Sequence, residues 1–131
     1  MKLSNILIYM LIIFLSYTFL NKVLNYDSFI INIAKTGVFK NWMVDVAAFY
    51  ALISELLCIV FLVFNERIGI FVSLLVILSY TIYLSYLGFN NIYEVCGCGG
   101  ILNSLPFYWH LIINLLLITL LLYLNSIRWK N

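Results

Sequence analysis

The sequence predicts an all-α integral membrane protein, a four-helix bundle with a short amphipathic helix between its first and second spanning helices. Of the 131 residues, 66% are hydrophobic and only 9% are charged, a composition far outside that of soluble domains. The apolar residues also form four long continuous runs, and about 20 such residues span a hydrocarbon core of about 30 Å. These runs cover residues 3–20, 43–64, 68–87 and 107–124.

The whole chain, residues 1–131, is predicted to be one transmembrane domain in contact with the lipid bilayer. Its first run has no small-residue cleavage site and continues directly into Leu20-Asn21-Lys22, which indicates an uncleaved spanning helix that packs and carries no chemistry. A net charge of +2 without a basic patch argues against a nucleic-acid partner.

The polar connection after the first run, residues 21–42, contains the predicted amphipathic helix. Its apolar residues at helical spacing are Phe29, Ile30, Ile33 and Ala34. Asp27 is suited to cap the start of this helix, and Gly37 is suited to end it. Such a helix would either cover the mouth of the bundle or act as a lid or docking surface for a partner.

The second spanning helix carries one carboxyl group, Glu55, near the middle of the membrane. It belongs to a stripe of residues at spacings of three and four, which are Ala47, Ala48, Ala51, Glu55 and Cys58. A carboxyl group inside a membrane must be protonated or paired, so Glu55 is a candidate proton acceptor. The alternative is a neutral Glu55 that forms a structural hydrogen bond to a tyrosine or serine of the next helix. Cys58 is predicted to act only as a small apolar side chain.

The third spanning helix follows a short turn at residues 65–67, which predicts an antiparallel hairpin with the second helix. Its outer half carries Tyr80, Tyr83 and Tyr86. These side chains are expected to anchor the helix at the membrane interface, where tyrosine is common. The alternative is that they form an aromatic wall for a flat ligand, which makes a quinone a candidate cofactor.

The segment Cys96-Gly97-Cys98-Gly99-Gly100 is the candidate reactive site, because it holds two thiols one residue apart between apolar runs. Its three glycines permit backbone torsions that other residues avoid, so that the two sulfurs can turn toward each other or toward a partner. A disulfide across a single residue would be strained and therefore easily reduced. The segment is suited either to thiol chemistry or to metal binding.

His110, the only histidine, follows Cys98 by twelve residues and lies, after Trp109, just over one turn inside the fourth spanning helix. A histidine near two thiols can stabilise or generate the thiolate, the form of cysteine that attacks a disulfide. Asn114 lies one turn later on the same face and is suited to hold the imidazole in one tautomer. The alternative is a histidine that only packs and forms hydrogen bonds.

The basic residues near the helix ends favour an orientation with both termini in the cytoplasm and the thiol segment outside. One side would carry Lys2, Arg67, Arg128 and Lys130, and the other Lys22, Lys35 and Lys40. Disulfides persist in the periplasm and not in the cytosol, so the chemistry of the thiols favours the same orientation. The predicted location is therefore the inner membrane of a bacterium, with the thiol segment in the periplasm.

In these residues the sequence resembles the MauE family, a branch of the MauE/DoxX group of small redox-associated four-helix membrane proteins. The residues that carry the resemblance are Lys22, Phe29, Glu55, Arg67, Cys96, Cys98, Gly99, Trp109 and Asn114. The order Cys-x-Cys-Gly-Gly with a histidine before the asparagine resembles a variant common in Bacteroidetes. The resemblance makes Lys22, Gly97, Gly99, Gly100, Trp109 and Asn114 candidate supporting residues.

The resemblance implies a role in methylamine utilisation or in making disulfides in exported proteins, together with a thioredoxin-like periplasmic partner. The leading hypothesis is a membrane thiol-disulfide relay in which Cys96 and Cys98 exchange electrons, assisted by His110 and Glu55. Whether the chain is itself a thiol-disulfide oxidoreductase stays open. A Cu(I)-handling protein with Cys96, Cys98 and His110 as ligands is one alternative, because soft thiolates select that ion. A structural membrane subunit is the other.

Overall fold

The computed structural model describes residues 2–90 and 107–130, and every regular element in these residues is an α-helix. The helices are α1 (Leu3–Leu24), α2 (Tyr26–Lys35), α3 (Trp42–Phe64), α4 (Glu66–Phe89) and α5 (Phe107–Lys130). All except α2 are long and apolar enough to cross a membrane. The prediction of four spanning helices with a short helix between the first two is confirmed.

The helices extend beyond the apolar runs at several ends. α1 continues to Leu24, so that Lys22 belongs to the helix and not to the polar connection predicted from residue 21 onward. Asn65 alone separates α3 from α4, and its side chain accepts a hydrogen bond from the amide of Ile68 at 3.4 Å. Hydropathy marks the part of a helix that lies in hydrocarbon, whereas backbone hydrogen bonding continues past it.

The core lies among the four spanning helices, where α4 packs against both α3 and α5, and α1 packs against α3. Its most deeply buried large side chains are Ile8, Leu11, Leu62, Ile70, Leu121 and Leu124. Large apolar side chains also cover the outer faces of these helices. An apolar exterior around an apolar core is what a bilayer requires, because lipid tails are as apolar as leucine.

The short helix α2 packs against the beginning of α3. Phe29 and Ile33 of α2 form a second apolar cluster with Val44 and Ala48 of α3. α2 begins at Tyr26, so the expected capping role of Asp27 is wrong, because Asp27 already lies within the first helical turn.

The predicted end of α2 at Gly37 is confirmed. Thr36 is its C-terminal cap, and Gly37 follows with a φ of 69°. Glycine adopts this left-handed conformation without the steric cost that a β-carbon imposes, which is why it commonly ends helices.

The α3–α4 hairpin depends on a close approach at Gly69. A β-carbon on Gly69 would lie 2.5 Å from the backbone nitrogen of Leu62 and 2.6 Å from its α-carbon. These are backbone atoms of α3, which cannot rotate away as the end of a flexible side chain can. The two helices therefore approach closely at this point because residue 69 has no side chain.

We expect Gly69→Ala to destabilise the protein, although alanine is the better helix former by about 1 kcal/mol. The added methyl group must push α4 away from the backbone of α3, so the net loss should be about 1–2 kcal/mol. Unfolding of the purified protein in mixed detergent micelles measures this change. Ser85→Ala, also in α4, is the control for changed helix propensity. A Gly69→Ala protein as stable as wild type would contradict the close approach.

Candidate functional site

A cavity of about 200 Å³ lies at the end of the bundle that α2 covers. All five helices contribute to its lining. The contributors include Lys22 from α1, Phe29 from α2, Ala51 from α3, Tyr80 and Tyr83 from α4, and Asn114 from α5. The cavity therefore exists only in the assembled bundle, and no single segment of the sequence defines it.

Lys22 and Glu55 form a buried ion pair beside this cavity. The ammonium group of Lys22 donates a hydrogen bond to Oε1 of Glu55, and the two side chains are 6% and 4% exposed. Glu55 is thus paired, with a lysine of α1 as its partner, and the alternative of a neutral Glu55 bonded to a tyrosine or serine of α4 is wrong. Two buried opposite charges at hydrogen-bond contact compensate each other, whereas either alone would be costly.

The expectation that the first helix only packs is also corrected by this ion pair. The Lys22 Nζ atom lies 5.7 Å from the ring centroid of Phe29 and 5.6 Å from that of Tyr80. Aromatic faces attract a cation at such distances. Lys22 therefore joins α1 to α2, α3 and α4 at one point.

One oxygen of Glu55 is left without a hydrogen bond in the part of the chain that the structure describes. Oε1 accepts from Lys22, while the buried Oε2 has no partner among residues 2–90 and 107–130. Buried carboxylate oxygens nearly always have partners, and an exception calls for an explanation. Oε2 is available to take a proton or a hydrogen bond from a bound molecule.

Two of the three tyrosines of α4 face the inside of the bundle. The Tyr80 hydroxyl donates a hydrogen bond to the carbonyl of Ala51 at 3.2 Å and lies 3.1 Å from the Ser54 hydroxyl. Tyr86 is 53% exposed, as an interface anchor would be. The interface prediction is therefore wrong for Tyr80, which forms part of the cavity wall.

Tyr83 also faces the cavity, next to the segment that follows α2. Its ring stacks on Phe39 with 5.9 Å between centroids, and its hydroxyl donates to Oγ1 of Thr36 at 3.4 Å. Phe39 lines the same cavity. The rings of Tyr80 and Tyr83 thus form an aromatic wall, the alternative arrangement that the sequence suggested for these residues.

His110 occupies the first turn of α5 and is only 5% exposed. Asn114, one turn later, is half-buried and lines the cavity. Trp109 is 55% exposed and lies on the outer surface. Of the candidates on α5, His110 and Asn114 are directed into the bundle, and Trp109 is suited to contact lipid headgroups.

The candidates Cys96, Gly97, Cys98, Gly99 and Gly100 lie outside the described residues, and their roles stay predictions. The chain segment that contains them joins the end of α4 to the start of α5. Tyr83, near the end of α4, and Asn114, in the second turn of α5, both line the cavity that α2 covers.

The third cysteine, Cys58, is 1% exposed in the core between the spanning helices and is a free thiol. Within residues 2–90 and 107–130, no group of three or more His, Cys, Asp and Glu side chains could hold a metal ion. The alternative copper ligands include Cys96 and Cys98, which are not among these residues, so that alternative stays a prediction.

Sequence reasoning named Lys22 and Glu55 as separate candidates and missed that they are partners. A signal was present, because a carboxyl group inside the membrane needs a partner and few charges exist in the chain. Lys22 follows the first apolar run by two residues, so hydropathy alone places it at the membrane surface. The extension of α1 to Leu24 brings it inside.

Four long apolar helices around a shared core, with an ion pair buried between them, define a multi-pass α-helical membrane protein. A family model described as methylamine utilisation protein MauE matches residues 1–126, nearly the whole chain. The chain therefore belongs to the MauE family, as the resemblance predicted. No curated protein and no solved structure matches it significantly.

We expect Lys22→Met and Glu55→Leu each to destabilise the protein by about 3–5 kcal/mol, because each leaves a buried charge unpaired. The double variant should recover most of this loss, since it buries no charge. A double-mutant cycle on detergent-solubilised protein, followed by unfolding, measures the coupling between the two residues.

Glu66→Gln is the matched control for these variants. Glu66 pairs with Arg128 at 3.1 Å near the opposite end of the bundle, but the Glu66 side chain is 42% exposed. Its loss should cost about 0–1 kcal/mol. Equal effects of Glu55→Leu and Glu66→Gln would show that the Lys22–Glu55 pair is not a buried one.

Proposed function

We propose that this MauE-family protein is a membrane thiol-disulfide relay that supports disulfide formation in exported proteins. Cys96 and Cys98 are the proposed redox pair, and a thioredoxin-like protein of the periplasm is the proposed partner. The observation that carries the proposal is the burial of His110 in the first turn of α5, twelve residues after Cys98 in the sequence. An imidazolium next to a cysteine lowers the pKa of the thiol and so favours the thiolate.

The relay transfers two electrons through disulfide exchange. A thiolate of the partner attacks one sulfur of the Cys96–Cys98 disulfide, which forms a mixed disulfide and releases the other sulfur as a thiolate. The second partner thiolate then attacks the mixed disulfide. The partner leaves with a disulfide, and Cys96 and Cys98 are both reduced, so the electrons balance.

His110 and Glu55 are proposed to handle the charge and protons of this exchange. The imidazolium form of His110 would stabilise the thiolate released from the Cys96–Cys98 disulfide. Glu55 has an unpartnered Oε2 within the described part of the chain and would accept a proton. Asn114 lines the cavity one turn after His110 and would orient polar groups there.

The ion pair of Lys22 also supports the proposed orientation in the inner membrane. Because Lys22 is buried against Glu55, it does not act as a free charge at the membrane surface. The side with the thiol segment then retains Lys35 and Lys40, against four basic residues on the other side, which are Lys2, Arg67, Arg128 and Lys130. The greater bias favours a periplasmic thiol segment.

We expect Cys96 and Cys98 to be oxidised in cells and to react with a mass-adding maleimide only after reduction. Gel shifts of protein from acid-quenched cells measure this state. Cys58→Ala should leave the pattern unchanged, because Cys58 is 1% exposed in the core. Thiols that are reduced under every condition would rule out the relay.

His110→Gln should slow disulfide exchange with a thioredoxin-like protein by about 10²-fold or more.

We expect a membrane-impermeant maleimide to label Cys96 or Cys98 on intact cells after mild reduction, once access through the outer membrane is confirmed. The matched control is Arg67→Cys in a chain with Cys58→Ala, Cys96→Ser and Cys98→Ser, because Arg67 is exposed near the α3–α4 turn. This variant should label only after the cells are lysed. The reverse pattern would invert the orientation and exclude a periplasmic partner.

A further inference from the structure

The cavity beneath α2 has properties that the disulfide exchange itself does not require. We propose that it binds a neutral, flat, ring-shaped molecule with carbonyl oxygens, of the quinone class. The proposal deepens the proposed function and rests on it in one respect, because the bound quinone would accept the electrons that the thiol pair receives.

The size of the cavity suits a single substituted ring. Its volume is about 200 Å³. Sites for drug-sized ligands begin at about 300 Å³. The lining includes the small residues Ala47 and Ala51 of α3 and the rings of Tyr80 and Tyr83 of α4. Aromatic rings beside residues with small side chains suit a flat molecule.

The polar groups of the cavity favour a ligand that accepts hydrogen bonds. The Lys22 ammonium has three N–H groups, and its one hydrogen bond to a side chain in the described residues goes to Glu55. Asn114 adds an amide, which carries two N–H donors. The hydroxyls of Tyr50 and Ser79 also line the cavity, but their protons are engaged, because Ser79 donates to the carbonyl of Val76 at 2.7 Å and Tyr50 lies 3.3 Å from Ser79 Oγ. The donors left for a ligand are the ammonium of Lys22 and the amide of Asn114. Carbonyl oxygens match these donors.

The charges of the site favour a neutral ligand. Lys22 would repel a cation at close range. An anion would gain little, because Glu55 already neutralises Lys22 within the buried pair. The remaining lining is mostly apolar and includes Phe29, Ile33 and Phe39. A charged ligand would lose its hydration there without a free opposite charge in the described lining.

A quinone at this position also completes the electron balance of the relay. The dithiol of Cys96 and Cys98 and a quinone give a disulfide and a quinol, with two electrons and two protons transferred. The carbonyl oxygens take up both protons. The Lys22–Glu55 pair lies beside the cavity, so a proton can reach a bound ring through the ammonium group.

Photolabelling of the purified protein with an azido-benzoquinone tests this site. We expect mass spectrometry to locate the label in α3 or α4, close to Ala51, Tyr80 or Tyr83. Tetramethyl-1,4-benzoquinone should compete with the label and, being fully substituted, should not add to thiols. Tetramethylbenzene has the same shape without carbonyl oxygens and should compete at least tenfold less well, which separates quinone recognition from filling of an apolar space.

Two alanine variants form a matched pair for the same experiment. Ala51→Leu fills the cavity. It should reduce at least tenfold the protected labelling, which is the part of the labelling that tetramethyl-1,4-benzoquinone prevents. Ala34→Leu adds the same atoms at an exposed position of α2 outside the cavity lining and should leave labelling unchanged. Equal competition by both tetramethyl compounds, or labelling that Ala51→Leu does not reduce, would overturn the proposal.

The double variant Cys96→Ser with Cys98→Ser distinguishes this proposal from the relay. It should retain protected labelling but form no quinol from a dithiol donor. Specific labelling of the wild type without any quinol formation would support the quinone site and contradict electron transfer from the thiols to the quinone. Disulfide exchange with a thioredoxin-like protein, together with no specific labelling, would support the relay and contradict the quinone site.

Discussion

The burial of one positive and one negative charge side by side determines the arrangement of the bundle end that α2 covers. Lys22 and Glu55 each need a partner because the membrane interior does not solvate them. Their contact fixes the end of α1 against the middle of α3. The rings of Phe29 and Tyr80 flank the same ammonium group, so α2 and α4 are positioned by it as well. Four helices thus meet at one pair of side chains.

The two ends of the α3–α4 pair differ in the residues that join the helices. At the α3–α4 turn, Gly69 lets the two backbones approach closely. Toward the other end, side chains bridge the same two helices, because the Tyr80 hydroxyl donates to the carbonyl of Ala51. The cavity lies at this end, where Tyr80 and Tyr83 of α4 and two alanines of α3 belong to its lining. Phe29 and Ile33 of α2 complete this part of the lining.

In the proposed relay, thiol exchange and quinone binding are carried out by different residues. The thiols belong to the connection before α5, and His110 is a buried group in the first turn of that helix. The cavity holds hydrogen-bond donors and aromatic rings next to a compensated charge pair. Thiol exchange requires access to a protein partner, whereas a quinone requires an apolar site open to hydrophobic ligands. A membrane bundle with a cavity lined by residues near the end of α4 and the start of α5 can meet both requirements.

The sequence by itself determined the four spans, the short helix ending at Gly37 and the antiparallel hairpin, because these follow from hydropathy and from local backbone preferences. It also identified Glu55, His110 and the thiol segment as candidates from their rarity in an apolar chain. Only the tertiary structure paired Lys22 with Glu55 and turned Tyr80 inward. Hydropathy gives each residue type one preference between water and an apolar medium, whatever its neighbours are. An ion pair or a cavity depends on which side chains distant helices bring together.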